Sequence, residues 1–99
     1  MNVSIHNLKE ILPHNYIFID LREKRDYNRL HIKKFINIPY NDFRYDSAFL
    51  KKDIPIYLIC YSGARANVVA RRLNQIGYQA YSFVGGFHAL NNPINPSFF

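Results

Sequence analysis

Short unbroken apolar runs alternate along this chain with segments whose apolar residues recur every three or four positions. The first kind suits strands buried on both faces of a parallel sheet; the second suits helices that bury one stripe. Ser4 is placed to N-cap a short helix from Ile5 to Leu12, with Ile5, Leu8, Ile11 and Leu12 on one face and Pro13 just beyond it. NYIFIDL (15–21) reads as a strand ending in an acid, and the charged REKRDYNRL (22–30) as a short helical turn. KFINIPY (34–40) reads as a second strand closed by Pro39, and DSAFLKK (46–52) as another short helix. IPIYLIC (54–60) is the most apolar strand of the set. Ala66, Val69, Ala70, Leu73 and Ile76 then repeat at helical spacing, and Gly77 suits the helix end. YQAYSFV (78–84) is a further strand broken by Gly85-Gly86. FHALNN (87–92) predicts a last turn before Pro93 and Pro96.

Strands alternating with helices predict a three-layer α/β fold, a mostly parallel central sheet flanked by helices, with right-handed crossovers. The chain has 99 residues, which predicts a single domain over 1–99 with one core. Hydrophobic residues make up 48%, enough to exclude disorder by composition. The 13 Lys and Arg against 7 Asp and Glu give +6. The basic residues form only scattered dyads, Lys33-Lys34, Lys51-Lys52 and Arg71-Arg72, rather than the dense stripe of a nucleic-acid surface. No nucleic-acid partner is expected, and attraction of small anions is the better use of the charge. Cys60 is the only cysteine, so no internal disulfide can form. No run is long and apolar enough for a membrane span or a signal core, so a cytoplasmic protein with no membrane partner is expected.

Cys60 stands where the most apolar strand meets a helix, with Gly63 and Arg65 in the short loop between. Ligand sites in parallel α/β sheets gather beyond the carboxyl ends of strands. There a cysteine faces unpaired helix N–H groups and the positive end of the dipole, which favour the nucleophilic thiolate. Gly63 permits a tight turn that aims successive N–H groups inward, and Arg65 adds a forked cationic donor. A lone cysteine ending a buried strand is often only a small hydrophobe. The glycine, the arginine and the helix favour nucleophilic attack on something anionic. Asp20 ends another strand, and the two residues are expected on one rim.

These segments resemble single-domain rhodaneses, which are sulfurtransferases. CYSGAR is similar to that family's active-site loop C-x-x-G-x-R. IDLREKRDYNRLHIKKFINIP is similar to its signature D-V-R-x-x-x-E-[FY]-x-x-G-H-I-x-G-A-x-N-I-P, and Gly85-Gly86 to its late G-G. Leu30 and Lys34 stand where that pattern has glycines, and Asp26 where it has Glu. Ala66 stands where a hydroxyl residue is common, and Leu90 near a frequent tryptophan.

The resemblance implies that Cys60 takes the outer sulfur of thiosulfate or another persulfide donor, becomes a persulfide, and yields that sulfur to a thiol, cyanide or protein acceptor. It implies that Tyr61, Ser62, Gly63, Ala64, Arg65 and Ala66 cradle the donor and the persulfide, with Arg65 on the anionic head. Asp20 and Arg22 match D-x-R and are expected to hold the rim loops, and His31 to anchor a loop rather than move protons. With one thiol, the persulfide cannot collapse to an internal disulfide. No His, Cys or Asp cluster has metal-ligand spacing, so no metal and no cofactor are expected. Related phosphatases and arsenate reductases use a Cys-to-Arg loop one residue longer, so the four residues between Cys60 and Arg65 favour sulfur over phosphate. A persulfide carrier or regulatory module with little turnover alone is the other reading.

Overall fold

The computed structural model describes residues 1–91 and 96–99. Five strands, β1 (Asn2–Val3), β2 (Ile17–Asp20), β3 (Ile36–Asn37), β4 (Ile56–Ile59) and β5 (Ala80–Phe83), form one sheet in the order β1-β5-β4-β2-β3. Every pairing is parallel. The apolar run 54–60 supplies the central strand β4, and all four of its residues are buried. Its side chains alternate between two cores. Ile56, Leu58 and Cys60 face the core that includes α3 (Ala64–Gln75). Tyr57 and Ile59 face the core formed with Ile5, Leu8 and Ile11. A strand at the sheet centre is covered on both faces, which is why its sequence shows no polar alternation. The three-layer, parallel α/β reading therefore holds.

The helix capped by Ser4 forms as two pieces, a 3₁₀ turn (Ile5–Asn7) followed by α1 (Leu8–Ile11). The Ser4 hydroxyl accepts the His6 N–H at 3.1 Å. The charged stretch forms α2 (Lys24–Arg29). In α3, Ala66, Val69, Ala70 and Leu73 are buried as their spacing predicts. Gly77, in the left-handed region at φ 101°, ends it, with the Tyr78 N–H on the Leu73 carbonyl at 2.9 Å.

Three local expectations change. Residues 46–52 form no helix: the segment runs in successive turns, such as Leu50 N–H to the Ser47 carbonyl. Leu50 is its one buried side chain, too little apolar surface to hold a helix against the sheet. The strand expected over 34–40 pairs only at Ile36–Asn37, on the sheet edge beside β2. β1 was not visible in the sequence; two residues pair with β5 because the chain enters along that edge. The final turn forms as a 3₁₀ segment (Gly86–Asn91), while Asn92 and Pro93 lie outside the described residues. Among the described residues no helix is long and apolar enough to cross a membrane.

Candidate active site

Cys60 follows β4 directly, and its side chain is 3% exposed. The chain must turn sharply to start α3, and Gly63 makes the turn at φ 94° as the helix N-cap. The turn brings the N–H groups of Gly63 and Ala66 onto Sγ at 3.1 and 3.3 Å. The Ala64 N–H goes instead to the Ser62 hydroxyl at 3.3 Å. Among residues 61–66, the cradle on the sulfur therefore rests on two N–H groups.

A second turn presses on this loop from behind. Gly85 and Gly86 have φ 76° and 60°. The following N–H groups of Phe87 and His88 donate to the carbonyls of Cys60 and Tyr61, both at 2.8 Å. A Cβ on Gly86 would lie 2.3 Å from the Cys60 carbonyl oxygen and 2.6 Å from the Gly63 nitrogen. No side chain fits there. In the sequence this glycine pair reads as the end of a strand and as a match to the late G-G of the resemblance; its close approach to the cysteine loop arises because β4 and β5 are neighbours.

Asp20 and Cys60 do share a rim, since Asp20 is in register with Ile59. Asp20 is fully buried and its carboxylate takes the Arg22 backbone N–H, Nε and Nη2 at 2.9–3.1 Å. Arg22 Nη2 also donates to the Leu30 carbonyl at 2.6 Å, and the guanidinium lies 3.7 Å from the centre of the Phe87 ring. The D-x-R pair thus ties β2, the end of α2 and the segment after Gly86 together, and its charges cancel. His31 Nδ1 contacts the Tyr27 carbonyl at 2.8 Å and its ring stacks on Tyr27 at 3.8 Å, so it anchors the end of α2. It does not line the cleft described next.

A cleft of about 340 Å³ opens over the cysteine, lined by Cys60, Tyr61, Ser62, Ala64, Arg65 and Arg22, together with Glu23 and Asp26 of the α2 entry. Arg65 is exposed and holds its guanidinium 4.9 Å from the centre of the Tyr40 ring. Tyr61 is 62% exposed, and its hydroxyl meets His88 Nδ1 at 3.1 Å. Sequence reasoning missed Phe87, Tyr40 and His88, which reach the site from elements distant in sequence. Among the described residues, no three His, Cys, Asp or Glu side chains are grouped as metal ligands would be.

The sequence model of one family, described as Rhodanese-like domain, matches residues 4–92. This chain belongs to the rhodanese-like domain family. It is 32% identical over 82 residues to the adenylyltransferase and sulfurtransferase uba4 of Ogataea parapolymorpha, covering 81% of this chain and 21% of that protein. It is 29% identical to the thiosulfate sulfurtransferase GlpE of Tolumonas auensis, covering 69% of this chain and 65% of that protein. The chain therefore spans from about a fifth to just under two thirds of these relatives' lengths. Among solved structures, a rhodanese homolog from Thermus thermophilus superposes with a TM-score of 0.72 at 25% identity, covering 91% of this chain and all of that one.

The two glycine positions of the rhodanese pattern that this chain fills otherwise behave differently. Leu30 has φ −165°, extended backbone open to any residue. Lys34 sits in the left-handed region at φ 74°, where a glycine has no steric cost. Its ammonium donates to the carbonyls of Leu12 and His14, contacts that glycine could not make.

Proposed function

We propose that this chain is a single-domain rhodanese-type sulfurtransferase acting through a Cys60 persulfide. Cys60 Sγ attacks the outer sulfur of a sulfane donor such as thiosulfate. A new S–S bond forms, the donor's own bond to that sulfur breaks, and its electron pair leaves with the donor residue, as sulfite in the case of thiosulfate. A thiol, cyanide or protein acceptor then attacks the outer sulfur, and the Sγ–S electron pair returns to Cys60. No external oxidant or reductant is consumed.

The observation that carries this reading is the sulfur's setting: Sγ receives two backbone N–H groups, at 3.1 and 3.3 Å, at the floor of a cleft that also holds Arg65. Donors aimed at an anionic sulfur stabilise the attacking thiolate and the persulfide alike. Arg65 is the group for the donor's anionic head, while Asp20, Arg22 and His31 support the rim. A lone cysteine fits a reducing, cytoplasmic setting. A second reading, a persulfide carrier that hands sulfur to a protein acceptor, is supported by a 31% identical relative in Bacillus subtilis named as a putative sulfur carrier protein.

The test is intact-mass measurement after incubation with thiosulfate. Cys60 should gain one sulfur, and cyanide should remove it. Cys60→Ser should gain none and lose all transfer, with stability changed by no more than about 1.5 kcal/mol because the serine oxygen inherits both N–H contacts. Appreciable turnover by the serine variant would overturn the mechanism.

A further inference from the structure

The charges lining the Cys60 cleft do not favour a small dianion. Arg22 is cancelled by Asp20 at 2.9 Å. Glu23 and Asp26 then contribute two carboxylates that form no ion pair or side-chain hydrogen bond among the described residues, and Arg65 is the one other cation lining the cleft. With Asp20, which lies buried behind Arg22 and does not itself line the cleft, counted among them, these five side chains sum to minus one, although the chain as a whole carries +6. The space is also larger than a five-atom anion needs. A second cavity of about 280 Å³ shares Arg22, Asp26 and Tyr61 with the first and extends it toward Arg29, Leu30 and Phe87. Arg29, like Arg65, has no carboxylate partner among the described residues. The trough therefore has the sulfur and Glu23 in one half, Asp26 where the halves meet, a guanidinium outside any ion pair among the described residues in each half, and an apolar wall at Leu30 and Phe87.

We propose that the preferred sulfur donor is the persulfide of an amino-thiol, a zwitterion whose ammonium is held by Glu23 and Asp26 and whose carboxylate is held by Arg29 or Arg65. This rests on the transfer reading above and names its substrate class. Cys60 Sγ attacks the terminal sulfur of R–S–SH; the Sγ–S bond forms, the R–S bond to that sulfur breaks, and the thiolate R–S⁻ leaves with the electron pair. Charge and oxidation state balance with no further reactant. Glu23 and Asp26 are specificity-determining residues, because they meet the part of the donor that thiosulfate lacks.

The experiment compares the rate at which Cys60 gains sulfur from cysteine persulfide, from N-acetylcysteine persulfide, which lacks the ammonium, and from thiosulfate. Each rate is normalised to that donor's reaction with a small free thiol. The cysteine persulfide should load faster than its acetylated form by roughly two- to fivefold per carboxylate engaged, the range for solvent-accessible ion pairs. High salt should shrink the ratio. Glu23→Gln with Asp26→Asn should abolish the preference and speed thiosulfate loading, since two repelling charges are gone. Glu23 is exposed and its side chain makes no cap hydrogen bond, so Glu23→Gln alone gives a folded variant that should move both rates partway. Equal normalised loading by the two persulfides, or a ratio unchanged in the variants, overturns this inference and leaves sulfur transfer standing. A protein that gains sulfur from none of the three overturns both.

Discussion

Arg65 illustrates how burial sets the size of an effect at the residue scale. In the sequence it is a forked cation one short loop from the nucleophile, which suggests a strong charge-assisted contact. In the fold it is exposed and rests against Tyr40. Exposed ion contacts are worth less than buried ones, so Arg65→Ala should lower kcat/KM for an anionic sulfane donor only about two- to fivefold. Arg65→Lys should recover part of the loss, since lysine keeps the charge but gives up the fork and much of the stacking. Steady-state rates at low and high salt check this; an unchanged rate for Arg65→Ala would leave donor binding to the loop N–H groups. Lys34 makes the complementary point. Its backbone conformation, at φ 74°, is unfavourable for a lysine, and two carbonyl contacts of the ammonium offset that cost.

At the scale of elements, the cysteine loop is shaped by two glycine turns. Gly63 starts α3, and Gly86 lets the segment after β5 lie against the carbonyls of Cys60 and Tyr61. Gly86→Ala must push the two turns apart as well as strain its own backbone. It should cost at least about 1–3 kcal/mol of stability and slow persulfide formation. Gly77→Ala is the control. Its φ of 101° is also left-handed, but an added Cβ there meets only the flexible Lys52 side chain, at 3.4 Å. It should cost about 1 kcal/mol through the lost C-cap preference and leave the loading of Cys60 unchanged. Thermal melts alongside mass-monitored loading separate the two; equal loss of loading in both would mean that Gly86 acts only through global stability.

Across the whole molecule, the Asp20–Arg22 pair joins parts of the fold that no local interaction connects. Asp20 is fully buried and Arg22 is 8% exposed, so removing one partner leaves a desolvated charge. Asp20→Asn should destabilise by about 3–5 kcal/mol, measured by denaturant unfolding; a change under about 1 kcal/mol would mean that water reaches Arg22 readily. The alternation of apolar runs and helical spacing determined the α/β class, the two-sided burial of the most apolar strand and the buried stripe of α3, because burial on two faces or on one leaves a periodicity in the residues themselves. The junction of Cys60, Gly63 and Arg65 was equally legible, because strand, loop and helix are contiguous there. Only the tertiary structure decided the rest. The order β1-β5-β4-β2-β3 sets Asp20 and the Gly85-Gly86 turn on either side of the cysteine. Packing puts Phe87 over Arg22 and Tyr40 under Arg65, and it leaves Glu23 and Asp26 on the cleft wall with no ion-pair partner among the described residues. These are contacts between segments far apart in sequence, and a periodicity that records which face of an element is buried carries no information about what covers it.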